Sequence, residues 1–595
     1  METEKKFKAA KKWLAIIAAL LVLCTILMWG IATGWGNVKI SRVSILGDNG
    51  SNMTAIQLVP KGVSSSNPAP VVLTNHGRNN SGYSELGFGI ELARRGYVVF
   101  CCDQVAAGEA PIKPSDSNVV NAESWVNYIN SQGYFDGRLV VTGLSAGGTT
   151  LAQVLIDCAD QIDCAINIVG TGGVLQLQLP VSFDFCSILA DADGIDAGRY
   201  GYVDGHDTRL DRIRETLGEP DYEFGQTLGS FEAGNAIQIN SVRSIHPLCY
   251  LFNSVHTTFY SFLDQAIPTN SGIAPDNLIY KTFYLVSWVC CFLFICLGAQ
   301  FALVLSSAPG LINIMHTERQ PVNKLGPRKR TVNIMIDFLL PVLLLPIVFT
   351  WVGKMKWIET IWRCSAANPV IGWLFVICVI GFVLLAFRTA KTKKERPLNA
   401  ADFGMGAPEE EKILNWKRIW CGFVIAVVST IMMFTWVTAV ISITGINYSA
   451  HAFAYFTRIT PERFVRSIPY VVIIIPIVLL ININVSTVRR FANTGNETVD
   501  ILLEEIVNIL ISIVPLILYF IEYFVVAYYR GTGVSLLQGG WEMSLNNSLG
   551  FPFMMGSSVG ISTYLSRKTG NIWSGIFTAT LILGIFTITA PLMAG

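Results

Sequence analysis

Hydrophobic residues follow two different patterns along this chain. In residues 13–35 and 280–595 they form apolar runs of about 20 residues, the length of an α-helix that crosses a bilayer. Between them, residues 37–275 alternate short β-branched runs with segments of helical spacing, which is typical of layered strands and helices. The pattern therefore predicts one globular α/β domain and one all-α transmembrane helical domain.

The globular region alternates strand-like runs with helical segments. The runs fall at residues 38–45, 53–59, 71–74, 97–102, 139–142, 165–169, 183–190 and 236–245. Helical spacing separates several of them, at 84–95, 119–131 and 207–217. This alternation predicts a doubly wound sheet with helices on both faces.

The apolar runs after residue 280 predict about eight membrane spans. They fall near 281–305, 331–352, 369–387, 420–443, 467–485, 502–527, 543–565 and 574–593. With the run at 13–35, the predicted total is nine. The span at 543–565 contains Asn546, Asn547 and Pro552, so a broken or re-entrant helix inside the bundle is the alternative there.

Basic residues predict the orientation. Lysines are frequent in the N-terminal segment 1–12, and the loops 306–330 and 388–418 are the most basic of the loops. The positive-inside rule places these three segments in the cytoplasm and the domain 37–275 outside. A cleaved signal peptide is the alternative to an uncleaved anchor at 13–35, although its apolar core is usually about 7 to 15 residues. We therefore predict a multi-pass cell-membrane protein with an extracytoplasmic globular domain.

Composition narrows the classes of partner. Charged residues make up 14% of the chain and hydrophobic ones 52%, and the net charge is +1. Soluble domains average about 25% charged residues, so the deficit favours a lipid bilayer as a partner. The globular region has no basic patch for nucleic acid. Metal-ligand spacings are absent from the sequence, so no metal or cofactor is predicted. The oligomeric state stays open.

Two cysteines of the globular region are close in sequence. Cys158 and Cys164 form the only locally plausible disulfide if the domain is external. The alternative is that they are buried thiols that pack as small hydrophobic residues.

Ser145 lies in a Gly-x-Ser-x-Gly turn directly after a strand-like run. Gly143 and Gly147 flank the serine by two residues, and a helical stretch, Thr149 to Cys158, follows. Glycine permits the sharp strand-to-helix turn that leaves the hydroxyl exposed above the strand ends. The pattern predicts the nucleophile elbow of a serine hydrolase.

A serine nucleophile needs a histidine that accepts its proton and a carboxylate that orients the histidine. His246 directly follows the last strand-like run, where a loop brings a base to the serine. His256 is the alternative, but it falls inside the closing amphipathic helix 252–263. His76 lies in a His-Gly turn that follows a strand. His206 lies in a turn ahead of a helix, where a solvent-exposed cap is the predicted role. His246 is therefore the predicted base.

These motifs resemble the α/β-hydrolase family over residues 38–266. The resemblance rests on Asn75-His76-Gly77-Arg78 after the third strand, Asp103 after the fourth, the Ser145 elbow after the fifth, an Asp-bearing turn, and His246 before the final helix. The family's chain order of nucleophile, acid and histidine is preserved. The resemblance implies a serine hydrolase that cleaves an ester or amide through an acyl-enzyme.

The resemblance also implies the acid. The turn at 188–194 is similar to the family's Gly-x-x-Asp turn, with Ala190 in place of the glycine. Asp193 is then the carboxylate. Asp191 is the alternative, because a shift in the strand end exchanges the two, and a turn-capping role for both stays open.

The family stabilises the oxyanion with two backbone amides. In this sequence they correspond to the N–H of Ala146 and the N–H of Arg78 (or Gly77). Removing one such donor typically lowers the rate by about a hundredfold to a thousandfold. The expected substrate is a small-molecule, lipid or peptide acyl compound, which the sequence does not narrow further.

The predicted membrane domain has no recognisable catalytic motif. Acidic residues lie in or beside its spans, at Asp337, Glu504, Glu505 and Glu522. Ionisable groups inside a membrane are functional candidates. The alternative function is therefore a membrane transporter or sensor in which the hydrolase-like domain is a binding module.

Overall fold

The structure is a computed structural model that describes residues 2–112, 117–200, 202–203, 206–317, 327–410, 412–450, 454–530 and 542–589. Residues 318–326 of the basic loop and 590–593 of the last predicted span lie outside the described residues. A helix, α1 (Glu2–Thr33), covers the predicted anchor and precedes the globular domain.

β-Branched and apolar runs of the globular domain form strands. The strands are β1 (Val38–Leu46), β2 (Asn52–Pro60), β3 (Ala69–Asn75), β4 (Val98–Cys102), β5 (Phe135–Leu144), β6 (Cys164–Ile168), β7 (Asp184–Ala190), β8 (Tyr202–Val203), β9 (His206–Asp207), β10 (Thr227–Leu228) and β11 (Ile237–Val242). Nine of them form one sheet in the order β1-β2-β4-β3-β5-β6-β7-β11-β10. The central strands from β4 to β11 run parallel, so their carboxyl ends lie at one edge.

Helices cover both faces of this sheet. They are α2 (Leu86–Arg94), α3 (Asn118–Asn130), α4 (Ala146–Asp157), α5 (Thr171–Leu175), α6 (Gly194–Tyr200), α7 (Thr208–Leu217) and α8 (Asn253–Ala266). Trp125 of α3 and Leu151 of α4 belong to the apolar core on one face. Phe88 of α2 and Phe259 of α8 belong to the core on the other. The doubly wound sheet is therefore as predicted.

The sheet contains all eight predicted runs and one further strand. This strand, β10, has only two residues and pairs antiparallel with β11 at the edge. Two residues are too few to show an alternating pattern, so hydrophobic periodicity does not predict this strand. Cys158 and Cys164 are buried free thiols, so the structure contains no bridge between them.

The remainder of the described chain is helical apart from one hairpin. Its elements are α9 (Tyr280–Ser306), α10 (Ile312–Met315), α11 (Pro327–Lys354), α12 (Asn368–Glu395), α13 (Trp416–Thr444), β12 (Tyr448–Ala450), β13 (Ala454–Phe456), α14 (Pro461–Ser486), α15 (Glu497–Phe520), α16 (Ala527–Arg530), α17 (Glu542–Asn546), α18 (Phe551–Thr569) and α19 (Trp573–Phe586). A π-helical segment, Ile521–Val526, joins α15 to α16.

Seven helices among the described residues are long and apolar enough to cross a membrane. They are α1, α9, α11, α12, α13, α14 and the continuous helix from α15 to α16. They are compatible with a multi-pass membrane protein. The doubtful span at 543–565 is broken, because α17 ends at Asn546 and α18 begins at Phe551 after a turn. α19 is a shorter apolar helix, and the nine-span topology stays a prediction.

The two domains pack directly against each other. The Glu91 carboxylate of α2 accepts hydrogen bonds from the backbone amides of Ile279 and Tyr280, at the start of α9. Arg463 of α14 donates to the carbonyl oxygen of Ala106 at 2.6 Å. One apolar cluster continues from Phe88 of the sheet domain to Phe294, Phe456 and Phe586 of the helical domain. The Arg463 contact lies at the carboxyl ends of the parallel strands, because Ala106 follows β4, whereas the Glu91 contact is made by a helix that covers one face of the sheet.

Candidate active site

Ser145 occupies the one-residue turn between β5 and α4. Its backbone has φ 53° and ψ −111°, a conformation that costs a non-glycine residue about 1 to 3 kcal/mol. The Ser145 amide donates to the carbonyl oxygens of Ile168 at 2.9 Å and Val169 at 3.0 Å, which anchors the turn to the end of β6. The serine side chain is thereby held above the strand ends and is only half-buried.

The two flanking glycines are required by close backbone approaches. A Cβ atom on Gly143 would lie 2.3 Å from the carbonyl oxygen of Gly147. A Cβ atom on Gly147 would lie 2.0 Å from the carbonyl oxygen of Asn75, at the end of the neighbouring β3. Both contacts are with backbone, so a side chain at either position would displace the turn that carries Ser145.

His246 reaches Ser145 from the end of the last long strand. It begins a 3₁₀ turn, His246–Leu251, a few residues after β11. Its Nε2 lies 2.7 Å from the Ser145 Oγ, and its Nδ1 lies 2.7 Å from an Asp193 carboxylate oxygen. The structure therefore brings the predicted nucleophile, base and acid into one hydrogen-bonded chain.

Asp193 lies in the turn after β7, at the start of α6. Its other carboxylate oxygen accepts from the amides of Ile195 at 2.9 Å and Asp196 at 3.0 Å. Burial by itself raises the pKa of this carboxyl, but His246, the Asp196 amide and the Arg209 guanidinium together hold the pKa below its usual value. The Asp193 side chain is consequently a buried carboxylate oriented toward the histidine.

Asp191, the alternative acid, faces away from the histidine. Its carboxylate pairs with Arg243 at 2.9 Å and accepts from the Ser244 amide at 3.1 Å. Both Asp191 and Arg243 are partly solvent-exposed. Of the two aspartates, Asp193 is the one whose carboxylate lies at hydrogen-bond distance from the His246 ring, at 2.7 Å.

His256, the alternative base, lies in the closing helix α8 and is fully buried. Its ring is stacked between Phe88, at 4.1 Å between centroids, and Tyr280, at 3.8 Å. Its Nε2 lies 3.0 Å from the carbonyl oxygen of Tyr250. Burial lowers the pKa of His256 to about 3. The residue is a packing element between α2, α8 and α9.

His76 shapes the loop that holds Arg78. The Gln104 amide donates to its Nε2 at 3.0 Å, so Nδ1 carries the proton and donates to the Gly77 carbonyl oxygen at 2.7 Å. Burial lowers the pKa of His76, which keeps the ring neutral. The imidazole therefore fixes the turn rather than facing the serine. His206 lies in the short strand β9.

The predicted oxyanion donors border the same pocket as Ser145. Ala146 is the first residue of α4, where amides have no partner within the helix. Gly77 and Arg78 follow β3, the strand that pairs with β5, and a Cβ atom on Gly77 would lie 3.4 Å from the Cβ of Ser145. The Arg78 side chain is exposed. Their role as oxyanion donors stays a prediction.

The pocket above Ser145 has a volume of about 300 Å³ and two walls. The hydrolase wall includes Arg78, Ser145, Ala146, His246 and Tyr250. The helical wall is formed by residues of the helical domain. They are Cys364, Ala366, Ala367, Tyr455, Asn546, Asn547, Leu549, Gly550, Phe551, Met554, Phe586 and Thr587. The reactive groups therefore lie between the two domains.

The sequence analysis did not predict the helical wall. A hydrogen bond between side chains joins the walls directly, from the Asn79 Nδ2 to the Asn547 Oδ1 at 2.8 Å. Asn79 follows Arg78, so this bond attaches the loop of a predicted oxyanion donor to the turn between α17 and α18. Two asparagines inside a predicted span were the available signal, because polar groups in a membrane segment usually have a function.

Asp196 is a second buried carboxyl at the pocket that the sequence analysis missed. Its carboxylate accepts from the Thr171 amide at 2.8 Å and the Thr171 hydroxyl at 2.6 Å. Burial and the neighbouring Asp193 raise its pKa. Its hydrogen bonds connect the end of β6 to the turn that carries Asp193.

Comparison with known proteins agrees with this architecture. The family model described as alpha/beta hydrolase fold matches residues 70–193. Among solved structures, a protein provisionally described as a dienelactone hydrolase from Klebsiella pneumoniae subsp. pneumoniae MGH 78578 is 13% identical, with 39% of this chain and 99% of that chain covered and a TM-score of 0.29.

Two further solved structures are similar. Brefeldin A esterase, described as a bacterial homologue of human hormone sensitive lipase, is 15% identical, with 42% of this chain and 84% of that chain covered and a TM-score of 0.27. An epoxide hydrolase from Vigna radiata is 18% identical, with 22% of this chain and 39% of that chain covered and a TM-score of 0.19. This chain therefore spans less than half of that enzyme. No curated protein sequence matches the chain.

The sheet topology and the family match confirm the predicted fold class: the globular domain has the α/β-hydrolase fold and is joined to an all-α helical domain.

Proposed function

We propose that the protein is a membrane-bound serine hydrolase that cleaves an ester or amide through an acyl-enzyme. The observation that carries the proposal is the chain of two 2.7 Å contacts from the Ser145 Oγ to His246 and from His246 to Asp193. It occurs at a strained turn directly after a parallel strand, where an α/β-hydrolase fold exposes its nucleophile.

Acylation begins when the Ser145 Oγ attacks the carbonyl carbon and the His246 Nε2 accepts the hydroxyl proton. Asp193, a carboxylate bound to the other ring nitrogen, stabilises the resulting imidazolium. The tetrahedral intermediate expels the alcohol or amine, which takes the proton from His246. A water molecule then attacks the acyl-enzyme with His246 again as base, and the acid product leaves with Ser145 reprotonated.

Negative charge develops on the carbonyl oxygen during both steps. The amide of Ala146 is directed along the axis of α4, whose N-terminus carries a partial positive charge. With the amide of Arg78 or Gly77, it supplies the two donors that this charge requires. Both donors belong to the hydrolase wall, one at the start of α4 and one in the loop after β3, so the carbonyl oxygen of a bound substrate lies between these two segments.

The covalent site is tested with a fluorophosphonate probe, since labelling requires an activated serine. Wild-type protein is expected to carry the adduct on the peptide containing Ser145, and Ser145→Ala to remain unlabelled. Ser65→Ala changes an exposed serine of the same domain and is the matched control, with labelling retained. An adduct that persists in Ser145→Ala contradicts the proposal. Absence of labelling and turnover in the wild type favours the transporter or sensor alternative.

The proposed location of the site is outside the cell, as the charge asymmetry of the loops requires. Single cysteines replace Gly62, in the hydrolase domain, and Lys394, at the end of α12, in a chain without other cysteines. An impermeant maleimide is expected to label the first in intact cells and the second only after lysis. Labelling of the Lys394 position alone would reverse the orientation.

A further inference from the structure

We propose that the helical domain binds the acyl chain of the substrate, so that the substrate is an ester whose apolar acyl chain is longer than acetyl. The inference rests on the proposed serine hydrolase function and adds a substrate class to it. It assigns a binding role to a domain that otherwise only attaches the enzyme to the membrane.

The first observation is the chemistry of the helical wall. Four apolar side chains, Leu549, Phe551, Met554 and Phe586, line the same pocket as Ser145. Each is at most 7% exposed, so they form a packed surface rather than scattered contacts. A hydrocarbon chain placed against this surface leaves water, which favours binding in proportion to the apolar area removed from solvent.

The second observation is the distribution of charged side chains across the pocket. Among its described lining residues, the helical wall has no charged side chain, whereas the hydrolase wall has Arg78, Asp196 and the reactive groups. A carbonyl positioned for attack by Ser145 therefore lies at the hydrolase wall, and an apolar substituent of that carbonyl lies toward the helical wall. A charged acyl group would lack a partner there, and burying an unpaired charge is costly.

The acyl-enzyme intermediate indicates which half of the substrate uses the helical wall. The acyl group stays attached to the Ser145 Oγ after the alcohol has left, so it is the part that the enclosed side must hold. A volume of about 300 Å³ is at the lower end of ligand pockets, which suits a single chain. Membrane lipids and soluble acyl esters share this chemistry.

The test compares p-nitrophenyl acetate with p-nitrophenyl octanoate on the purified full-length protein. One well-packed methylene in a hydrophobic pocket changes kcat/KM by about 10- to 200-fold. We therefore expect kcat/KM for the octanoate to exceed that for the acetate by at least about tenfold. Met554→Trp, which fills the pocket, is expected to lower this ratio by about tenfold. Met335→Trp, at an exposed position of α11, is the matched control and keeps the wild-type ratio.

A second variant covers the case in which Met554→Trp does not fold. Met554→Ala enlarges the same wall and is expected to shift the preference from octanoate toward dodecanoate. Fluorophosphonate labelling of Ser145 reports folding of each variant. Equal kcat/KM for acetate and octanoate in a wild-type protein that labels at Ser145 overturns the acyl-chain inference alone. Absence of labelling and turnover overturns the proposed function itself.

A final arm distinguishes the two sources of the acyl ester. Dioctanoylglycerol in phosphatidylcholine vesicles is offered to the reconstituted protein beside p-nitrophenyl octanoate in solution. Hydrolysis of both substrates supports the inference with a lipid of the bilayer as the source. Hydrolysis of the soluble ester alone supports it with a soluble source, and hydrolysis of neither by a labelled enzyme overturns it.

Discussion

The two walls of the pocket above Ser145 are built in different ways. On the hydrolase wall, each reactive side chain follows a strand of one sheet, Ser145 after β5, Asp193 after β7 and His246 after β11. On the helical wall, the lining residues come from separate segments and share no local motif. The comparison teaches that the proposed reactive groups are positioned by strand ends and turns, whereas the proposed acyl-binding surface depends on how distant helices pack.

The largest expected effect distinguishes the two histidines of the hydrolase domain. His246→Ala removes the base, and loss of one member of a catalytic triad lowers kcat on the order of 10⁴- to 10⁶-fold. His256→Phe keeps a flat ring between Phe88 and Tyr280 and is expected to retain activity within a few-fold. Both variants are compared in one ester assay with labelling as a folding control. Loss of activity in His256→Phe alone would show that the base has been misassigned.

The next effect tests the backbone of the hydrolase wall. The Cβ of Gly147→Ala would lie 2.0 Å from the Asn75 carbonyl oxygen, so the elbow must move. A displacement of about 1 Å in a reacting group costs about a hundredfold in rate, and we expect kcat/KM to fall by that factor or more. Gly133→Ala is the control, because its nearest new contact is an ordinary 3.6 Å. A fully active Gly147→Ala enzyme would contradict the requirement for glycine.

The pH dependence of the free energy of unfolding tests the contact between the two domains at His256. The pKa of His256 falls to about 3 in the folded protein because the ring is buried against α9. The unfolded chain therefore binds an extra proton between the ordinary histidine pKa of about 6.5 and pH 3, and stability decreases as pH falls through this window, by about 1.4 kcal/mol per pH unit.

His256→Phe removes this proton uptake and so tests the buried ring. Chemical unfolding of the full-length protein in detergent at pH 7 and pH 5 gives the free energy of unfolding. The wild type is expected to lose about 2 kcal/mol more than the variant between these two values. Equal losses in the two proteins would mean that the ring is solvated.

Local sequence signals predicted much of the hydrolase wall. Alternating apolar runs located eight strands, and the glycines around Ser145 located the elbow. The choice between Asp191 and Asp193 was harder, because it depends on β7 ending at Ala190. A strand that ended two residues earlier, at Ile188, would put Asp191 in the place of Asp193. Only the structure shows that Asp191 is paired with Arg243.

The helical wall could not be predicted from the sequence. Hydrophobic runs predict a helix, but they do not state which face of it meets another domain. The Asn79 to Asn547 contact joins residues 468 positions apart, and no periodicity reports such a pairing. Asn546 and Asn547 marked the segment as unusual within a span, but their neighbour in space could not be inferred from composition or spacing.

The smallest expected effect concerns the hydrogen bond between the Asn79 and Asn547 side chains, which joins the two walls. Asn547→Ala removes the oxygen that accepts from the Asn79 side-chain amide. A neutral hydrogen bond contributes about 0.5 to 1.5 kcal/mol net to stability. The loop that holds Arg78 loses that restraint, so we expect kcat to fall by about two- to tenfold, with Ser145 labelling retained.

Asn547→Asp separates loss of this hydrogen bond from a change in packing. Its carboxylate has nearly the same shape and still accepts from the Asn79 amide, so it is expected to restore most of the kcat that Asn547→Ala loses. Equal kcat in wild type and Asn547→Ala would mean that the hydrolase wall holds its oxyanion loop unaided. The helical wall would then contact only the substrate, and the difference between the two walls would be sharper than the hydrogen bond implies.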